Sequence, residues 1–422
     1  MNTWDQIPLG DICSKIGSGA TPRGGQEAYK SEGISLIRSM NVYDFAFIND
    51  GLAFIDDAQA NKLKGVTVKA NDILINITGA SVGRCCIVPN AVLPACVNQH
   101  VAIIRLKLDV ANPAFVLNAI NSPYYKDVIL NRSTTGATRE ALTKEDLSQF
   151  KVPLPPLPIQ RKIAAILSAY DDLIENNTRR ITLIEQMAEE VYREWFVRLR
   201  FLGHESVPVH QGGPEGWHRV PIRTFCDEVR SSIKAKDLTA DMRYIGLEHI
   251  PRKSMFLMDW DSAGNVDSDK LRFVEGDILF GKIRPYLHKV SMTHFSGVCS
   301  SDAIVVRAKN PNARGYLFFT LFSDAFVDLA ATACKGSQMP RADWDFLKKV
   351  EILSPPKPIL EAYGRLFEAN FRLMEQIALT NEKLLQSRKI LLPRLLSGKL
   401  DVGYLDIPFS PEIDEPMTAT RK

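Results

Sequence analysis

The chain contains 422 residues, of which 45% are hydrophobic and 24% are charged, and its formal net charge is +3. This length and composition are typical of a folded protein of two to four domains and exclude a disordered or fibrous chain. Because the net charge is nearly neutral, any affinity for nucleic acid must come from local clusters of Lys and Arg.

The cysteines and the N-terminal segment indicate the cellular compartment. None of the seven cysteines forms a C-x-x-C pair, so the sequence predicts reduced thiols instead of a disulfide framework. The segment after Met1 lacks the basic and apolar regions of a secretion signal, and no apolar stretch is long enough to span a membrane. We therefore expect a cytoplasmic protein.

Residues 1–152 combine short apolar runs with turn residues. The runs Ile73-Leu74-Ile75 and Val101-Ala102-Ile103-Ile104 predict buried strands, and segments rich in glycine or proline separate the runs. Pro113 is placed to open a helix that extends to about Leu130. This mixture predicts an α+β domain.

Residues 153–203 are predicted to be helical. Their apolar residues recur at alternating four- and three-residue spacing, which is the pattern of a coiled-coil seam. Asn177 lies on the same seam, where it either fixes the register of two helices or marks a frayed or kinked point. The predicted seam consists of Ile159, Ile163, Ile166, Tyr170, Leu173, Ile184, Met187 and Val191.

The second half repeats this organisation. Residues 204–353 are predicted to be a second α+β domain, with a glycine-rich linker over 211–216 near its start. Residues 354–402 are predicted to be a second helical region, in which Pro393 should end or kink the helix. Residues 403–422 are predicted to be a flexible tail. The second predicted seam consists of Ile359, Tyr363, Leu366, Asn370, Leu373, Ile377, Leu384 and Leu391. We expect the two long helices to pack as an antiparallel coiled coil, with two independent surface helices as the alternative.

Several motifs occur twice, about 200 residues apart. Pro155-Pro156-Leu157-Pro158-Ile159 precedes the first helix and Pro355-Pro356-Lys357-Pro358-Ile359 precedes the second. Asn71-Asp72-Ile73-Leu74-Ile75 returns as Gly276-Asp277-Ile278-Leu279-Phe280. A duplicated module predicts two α+β domains in a pseudo-twofold arrangement, and such symmetry suits a target in two parts, such as two half-sites on DNA.

Motifs of catalysis are absent from the sequence. It contains no phosphate-binding G-x-x-x-x-G-K-[ST], no dinucleotide-binding G-x-G-x-x-G, no metal-spaced Cys or His, and no Asn-Pro-Pro-aromatic or Asp-Pro-Pro-aromatic tetrapeptide of an amino-methyltransferase. Asp277 with Lys282 is similar to a nuclease carboxylate–lysine pair, but Asp277 belongs to a repeated turn-to-strand element. The sequence therefore predicts a non-catalytic binding protein that itself holds neither a metal nor a cofactor.

Six polar loops, three in each half, carry hydroxyls, glycine amides and basic side chains, which are groups that hold phosphates or read base edges. One such loop is more often a solvated turn, but these six fall at matched places in the two halves. The candidate DNA-binding residues are Thr21, Arg23, Arg38, Thr78, Ser81, Arg84, Asn98, Gln99, Thr135, Gly136, Thr138, Arg139, Ser231, Lys234, Lys236, Lys282, Arg284, Tyr286, Lys335, Ser337, Gln338 and Arg341. The candidates for helix pairing and subunit docking are Ile163, Ile166, Tyr170, Leu173, Asn177, Ile184, Val191, Leu366, Asn370, Leu373, Ile377 and Leu384.

A set of short motifs occurs in a specific order along the chain. The motifs are Trp4 with Pro8-Leu9-Gly10-Asp11-Ile12, Gly19-Ala20-Thr21-Pro22, the two Asp-Ile-Leu strands, Val152-Pro153-Leu154-Pro155-Pro156-Leu157 with Gln160-Arg161-Lys162-Ile163, Tyr192-Arg193-Glu194-Trp195-Phe196-Val197, Pro214-Glu215-Gly216-Trp217, and Leu392-Pro393-Arg394-Leu395-Leu396-Ser397-Gly398-Lys399-Leu400. In this order of motifs, nearly the whole chain resembles the specificity subunits (HsdS) of type I restriction–modification enzymes. The second copy departs from the pattern, because Leu360-Glu361 replaces Gln160-Arg161 and Arg223-Thr224 replaces Gly10-Asp11.

The resemblance implies two target recognition domains, each binding one half of a split, asymmetric double-stranded DNA sequence, with the helices as a ruler for the spacer. It implies two modification subunits that methylate adenine with S-adenosylmethionine, and two restriction subunits, requiring ATP and Mg²⁺, as an optional addition. It also implies a bacterial or archaeal cytoplasm, close to the nucleoid. Two alternatives stay open: the specificity subunit of a type IIB system, and a coiled-coil scaffold that binds proteins and not DNA.

Overall fold

The computed structural model describes residues 4–22, 24, 28–133, 141–334, 340–407 and 420–421. Contacts divide the chain into two compact units, of which the first consists of Met1–Glu175 with Lys383–Lys422 and the second of Asn176–Glu382. Each unit therefore contains one mixed domain and part of each long helix. The five segments expected from the sequence pattern stay a prediction.

The first unit contains twelve strands before the first long helix, among the residues that the structure describes. They are β1 (Gln6–Pro8), β2 (Cys13–Ser18), β3 (Ile34–Ile37), β4 (Val42–Tyr43), β5 (Ala46–Ile48), β6 (Ala53–Ile55), β7 (Thr67–Val68), β8 (Ile73–Asn76), β9 (Cys85–Ile87), β10 (Ala95–Val97), β11 (Val101–Leu106) and β12 (Lys151–Pro153). The helices are α1 (Leu9–Ile12), α2 (Asp57–Lys62), α3 (Pro113–Asn121), α4 (Pro123–Ser133), α5 (Lys144–Ser148) and the long α6 (Leu157–Tyr192), which ends in a π-helical turn over Arg193–Val197.

The second unit has the same kinds of elements. Its strands are β13 (Val209–His210), β14 (Gly213–Pro214), β15 (His218–Pro221), β16 (Cys226–Glu228), β17 (Ser232–Ile233), β18 (Arg243–Ile245), β19 (Asp261–Ser262), β20 (Lys270–Phe273), β21 (Ile278–Gly281), β22 (Val290–Met292), β23 (Gly297–Cys299), β24 (Ala303–Ala308) and β25 (Glu351–Ser354). Its helices are α7 (Arg314–Phe322), α8 (Asp324–Thr332), α9 (Trp344–Leu347) and the long α10 (Lys357–Leu396), whose last part belongs to the first unit. A short strand near the C-terminus, β26 (Thr420–Arg421), pairs in parallel with β5.

The two units share one sheet connectivity. An antiparallel sheet with the order β2-β11-β8-β9 in the first unit corresponds to β16-β24-β21-β22 in the second. A mixed sheet with the order β6-β3-β10-β7 corresponds to β19-β18-β23-β20, to which β17 adds one edge strand. The parallel pair is β3 with β10 in one case and β18 with β23 in the other. The internal repeat and the predicted α+β class with two long helices are confirmed.

The repeated Asp-Ile-Leu motif forms a central strand in both units. In β8, Ile73 and Ile75 pack in one hydrophobic cluster and Leu74 packs in another, so the strand is buried on both faces. Ile278 and Leu279 of β21 divide between two clusters in the same way. Burial on both faces explains why these strands read as continuous apolar runs without polar alternation.

A buried aspartate directly precedes each of these strands and binds an arginine of the neighbouring strand. Asp72 accepts hydrogen bonds from Arg105 Nε at 2.8 Å and Arg105 Nη2 at 2.7 Å, and Asp277 accepts the same two bonds from Arg307 at 2.7 Å each. Both aspartates also accept a backbone N–H from the preceding turn. Asp277 therefore has a structural role, which is consistent with the sequence argument against a nuclease pair.

The helix predicted from Pro113 is in fact two helices. α3 ends at Asn121, and α4 begins at Pro123. The residue before a proline is disfavoured in the helical conformation, and Ser122 adopts an extended one instead. The predicted single helix was therefore wrong at this position.

Within each unit the two long helices run antiparallel. In the first, Asp171 pairs with Arg388 and Lys162 donates to Gly403. In the second, Asn177 Nδ2 donates to Asn381 Oδ1 at 2.9 Å, while Tyr192, farther along α6, packs against Tyr363, nearer the start of α10. The predicted antiparallel pairing is confirmed.

The buried face of α10 differs from the predicted seam. Among the predicted helix-pairing residues, Ile163 and Ile377 are buried, and Ile166, Tyr170, Asn177, Ile184, Val191, Asn370 and Leu384 are partly buried. Leu173, Leu366 and Leu373 remain 53%, 48% and 44% exposed, so their predicted role in helix pairing was wrong. The buried face of α10 instead carries Leu360, Tyr363, Phe367, Phe371, Met374 and Ile377. The aromatic side chains of this face bury more apolar surface than the leucines of the predicted seam would. This difference explains why α10 turns the aromatic face inward instead of the leucine face.

Candidate nucleic-acid interface

In the first unit, several predicted loops meet at one end of the β2-β11-β8-β9 sheet. Neighbouring strands of this sheet are antiparallel, so the end of β2, the start of β11, the end of β8 and the start of β9 lie together. Gly19 comes directly after β2 and packs against the backbone of Val97. A Cβ at Gly19 would lie 2.0 Å from the Val97 carbonyl oxygen. Only glycine permits this approach, which brings the Thr21 segment beside the turn at 98–100.

Hydrogen bonds fix the loops at this sheet end to one another. The Ile77 backbone N–H donates to the His100 carbonyl at 3.0 Å, and the Leu142 N–H donates to the Ile77 carbonyl at 2.8 Å. The Thr78 hydroxyl lies 2.6 Å from His100 Nδ1, and Gln99 Nε2 lies 3.1 Å from His100 Nε2. The sheet end therefore presents a fixed polar surface.

The candidates of the first unit differ in how free their side chains are. Thr21 and Gln99 are exposed, and Thr78 and Ser81 are partly buried, with Ser81 accepting a hydrogen bond from Asn76. Asn98 is buried, and its Oδ1 accepts the His100 N–H, so it shapes the turn.

Aromatic rings hold the two arginines of this sheet end that the structure describes. Arg84 lies over the Tyr43 ring at 4.7 Å. Arg38 lies over Tyr29 at 5.6 Å and binds the Gly51 carbonyl. The exposed Tyr43 at the end of β4 was missed, because one aromatic residue in a short strand gives no sequence signal.

The second unit has the same backbone connections at the end of its β16-β24-β21-β22 sheet. The Lys282 N–H donates to the Asp302 carbonyl at 2.7 Å, as Ile77 does to His100, and the Ala342 N–H donates to the Lys282 carbonyl at 2.8 Å, as Leu142 does to Ile77. Thr78 bridges to Ala141 in the first unit and Ile283 to Arg341 in the second. The same loops therefore meet in both copies.

The β21–β22 loop carries three of the candidates in the second unit. Arg284 and Tyr286 are exposed, Lys282 is partly buried, and Arg341 lies 3.9 Å from Asp302. Burial, with a further contribution from the nearby Arg252, lowers the pKa of Lys289 at the end of this loop. Arg252 was missed, because nothing in the sequence connects it to a loop that begins 30 residues later.

The remaining candidates lie around β17 or outside the described residues. Ser231 and Lys236 are exposed, and Lys234 forms a 2.7 Å ion pair with Asp269, which partly satisfies its charge. The candidates outside the described residues are Arg23, Thr135, Gly136, Thr138, Arg139, Lys335, Ser337 and Gln338.

Over the described residues, no group of three or more His, Cys, Asp or Glu side chains is arranged to hold a metal ion. In that same part of the chain, no helix has the length and hydropathy that crossing a membrane requires. What the sheet ends offer is hydroxyl, amide and basic groups on a fixed backbone, which suits binding and not bond cleavage.

A family model of the type I restriction modification DNA specificity domain matches residues 1–186. The chain is 24% identical to the MjaIX specificity subunit of Methanocaldococcus jannaschii over 95% of this chain and 94% of that one, and 26% identical to the HindI specificity subunit of Haemophilus influenzae over 95% and 100%. The chain is therefore similar to type I restriction–modification specificity subunits over nearly its whole length. These similarities support the sequence prediction of a non-catalytic DNA-recognition subunit.

Two further comparisons gave similar proteins. The chain is 31% identical to the EcoDI specificity subunit of Escherichia coli over 57% of this chain and 60% of that one. The crystal structure of the type I restriction–modification S subunit from M. genitalium has the same fold, with a TM-score of 0.53 and 14% identity over 93% of this chain and 96% of that one.

Proposed function

We propose that this specificity subunit binds a DNA sequence in two parts, one part at the loop-bearing sheet end of each unit. The observation that carries the proposal is the matched set of connections at those ends, where Ile77, His100 and Leu142 correspond to Lys282, Asp302 and Ala342. Two copies of one scaffold with different side chains on their loops suit two different half-sites. The target is therefore bipartite and asymmetric.

The groups at the sheet ends support recognition of duplex DNA. Hydroxyls and backbone amides hold phosphates, and Arg, Gln and Asn side chains read base edges in the major groove. Because the net charge of the whole chain is only +3, the affinity comes from these local groups, including Arg84 in the first unit and Lys282 and Arg284 in the second.

The long helices serve as a ruler between the half-sites. α6 has 36 residues and α10 has 40, and each contributes residues to both units. A pair of packed helices is stiff, whereas a flexible linker would allow a range of distances. Two half-sites approached from the same side of the duplex lie about one helical turn, or about 34 Å, apart. A fixed helix length therefore selects one spacer.

The exposed apolar residues of the helices are candidate contacts for modification subunits. Several leucines of the long helices are exposed. They include Leu173, Leu366 and Leu373, whose predicted role in helix pairing was wrong, and others such as Leu183 and Leu385. Exposed apolar side chains that cluster on a surface are typical of sites of protein association. Two modification subunits would supply S-adenosylmethionine and adenine methylation, and two restriction subunits, where present, would supply ATP- and Mg²⁺-dependent cleavage.

The test uses the specificity subunit co-expressed with the modification subunit encoded beside it. Sequencing of methylated adenines should give one split motif, and the affinity of the complex for that duplex should fall steeply with salt. Methylated adenines without a common motif, or salt-independent binding, would reject the proposal in favour of a protein scaffold. A partner polypeptide that both methylates and cuts on both sides of the motif would instead indicate a type IIB system.

A further inference from the structure

We propose that the β21–β22 loop of the second unit is a preformed base-reading element, with Arg284 as the residue that reads a base edge and Tyr286 as the ring that packs against the DNA beside it. The inference rests on the proposed function and deepens it. It states that the two half-sites are read by different kinds of contact. The tip of the second loop carries the long side chains of Arg284 and Tyr286, where the tip of the corresponding loop of the first unit has Gly79 and Ser81.

The two loops place left-handed backbone at corresponding positions. In the first loop Gly79 and Gly83 have φ angles of +75° and +81°. In the second loop Arg284 and His288 have φ angles of +50° and +52°. The two residues of each pair are four positions apart, and the same turn hydrogen bond lies between them: the Val82 N–H donates to the Gly79 carbonyl and the Leu287 N–H to the Arg284 carbonyl, both at 2.9 Å.

Left-handed backbone is unfavourable for arginine and histidine, because their Cβ atoms crowd the neighbouring carbonyl oxygen. The first loop demonstrates that glycine closes the same turn without this strain. The geometry of the loop therefore does not require a side chain at position 284. A strained residue that occupies such a position, where glycine would relieve the strain, is typical of a functional side chain.

Contacts on both sides hold the second loop in this conformation. The Arg284 N–H donates to the Pro340 carbonyl at 2.9 Å, and the Leu287 N–H donates back to the Arg284 carbonyl at 2.9 Å. His288 is buried, with Nε2 2.7 Å from the Phe322 carbonyl oxygen and Nδ1 3.3 Å from Asp324. The strain at His288 is thus offset by contacts of its side chain, whereas Arg284 has only its backbone hydrogen bonds within the part of the chain that the structure describes.

The side chains at the tip point to a ligand outside the unit. The Arg284 guanidinium has no ion pair or hydrogen bond to any residue in the part of the chain that the structure describes, and the Tyr286 side chain is 58% exposed. An arginine held on a fixed Cα can present two donors to a guanine edge, and an aromatic ring packs on a sugar or base. At the position of Tyr286 the first loop has Ser81, whose hydroxyl reaches much less far.

The experiment converts the second loop into a loop of the first kind. Arg284→Gly and Tyr286→Ser are made in the full chain, assembled with its modification subunits, and tested on duplexes in which each base pair of the split motif is changed in turn. We expect Arg284→Gly to weaken binding of the unchanged motif roughly ten- to hundred-fold and to remove the preference at one or two positions of a single half-site. Tyr286→Ser should weaken binding of the same half-site, and Tyr286→Phe should retain it.

The melting temperature of the Arg284→Gly variant distinguishes a functional role of Arg284 from a structural one. Arg284→Gly should raise the melting temperature, because glycine accepts the left-handed backbone, whereas loss of a structural residue would lower it. Arg219→Ala and Tyr404→Ser are matched controls at exposed residues outside the loop, and neither should change sequence preference. Equal weakening on all sequences, with a shallower salt dependence, would make Arg284 a phosphate contact and overturn the proposal. Unchanged preference in both variants would also overturn it. A wild-type complex without any sequence preference would instead be a failure of the proposed function.

Discussion

The buried aspartates of the two units allow one substitution to be compared in two nearly identical settings. Asp72 is fully buried and its partner Arg105 is 20% exposed, whereas the partner of Asp277, Arg307, is 44% exposed. Removing one member of a buried ion pair typically destabilises a protein by about 3–5 kcal/mol, because a charge is left buried without a counterion. We therefore expect Asp72→Ala to lower the free energy of unfolding of the first unit by about 3–5 kcal/mol.

Asp277→Ala should lower the free energy of unfolding by less, because Arg307 can turn into water. Only the charge-assisted hydrogen bonds of Asp277 with Arg307 are then lost, and these contribute about 1.5–3 kcal/mol. Since a chain of two units need not unfold in one step, the assay is hydrogen exchange read by mass spectrometry on peptides from β8–β11 and β21–β24 separately. The exposed Asp109→Ala serves as the control and should change the opening free energy by less than about 0.5 kcal/mol.

A second substitution tests the cause of the difference. Adding Arg105→Met to Asp72→Ala removes the orphaned charge and should recover at least half of the lost stability. Equal costs for Asp72→Ala and Asp277→Ala, or no recovery in the double variant, would refute the argument from the exposure of the arginine partner.

Three further predictions concern the long helices. Burial raises the pKa of Glu185 from 4.5 to about 7, so the stability that this residue contributes is fully present below pH 4.5 and is lost as the pH rises through about 7; Glu185→Gln should abolish that slope in thermal melts between pH 4 and 8. Replacing both Asn177 and Asn381 with leucine should raise the melting temperature but broaden the spacer in methylation sequencing, because a polar pair on a helix seam fixes register; an unchanged single spacer would contradict this role. Inserting one heptad between Ile163 and Val191, with a matching heptad in α10, should lengthen the spacer by about 10 Å, or roughly three base pairs, and leave both half-sites unchanged; a footprint with the original spacer would refute the ruler.

The strands and the meeting of the loops could be predicted from the sequence, because both depend on local pattern. Continuous apolar runs identify strands buried on two faces, and once those strands are neighbours in an antiparallel sheet, the loops at one end must converge. The Asp–Arg pairs are also visible in the sequence as the repeats of Asp72 with Arg105 and of Asp277 with Arg307, although their contact is not.

The rotation of α10 could not be predicted from apolar spacing alone, because apolar residues occupy two faces of this helix. Leu366 and Leu373 lie on one face, and Phe367 and Phe371 lie on the other. Contacts with the neighbouring domain decide between them: a Cβ at Gly315 would lie 2.3 Å from the Phe367 ring, and a Cβ at Gly364 would lie 2.4 Å from the Asn312 carbonyl oxygen. A glycine inside a helix, on the same face as two phenylalanines, was the signal that identifies the buried face.

The contacts of individual basic side chains also could not be predicted from the sequence. Lys234 and its ion-pair partner Asp269 are far apart in the chain, and Arg38 turns toward Tyr29 and Gly51. Composition identifies a loop that could bind DNA, but only the fold determines which of its charges are already satisfied.

The two copies differ in their loops and at the start of the helices, while the contacts that define the fold are the same. Gln160 is buried at the start of α6, where it bonds the Asn112 N–H and the carbonyls of Val110 and Pro155, and Leu360 fills the corresponding place in α10 by apolar contact alone. A scaffold that tolerates this change without altering its strand order can also tolerate new loop residues. If each unit reads one half-site as proposed, loop substitutions will change the sequence read by one unit without refolding that unit, and a change in helix length will alter the spacing independently of both.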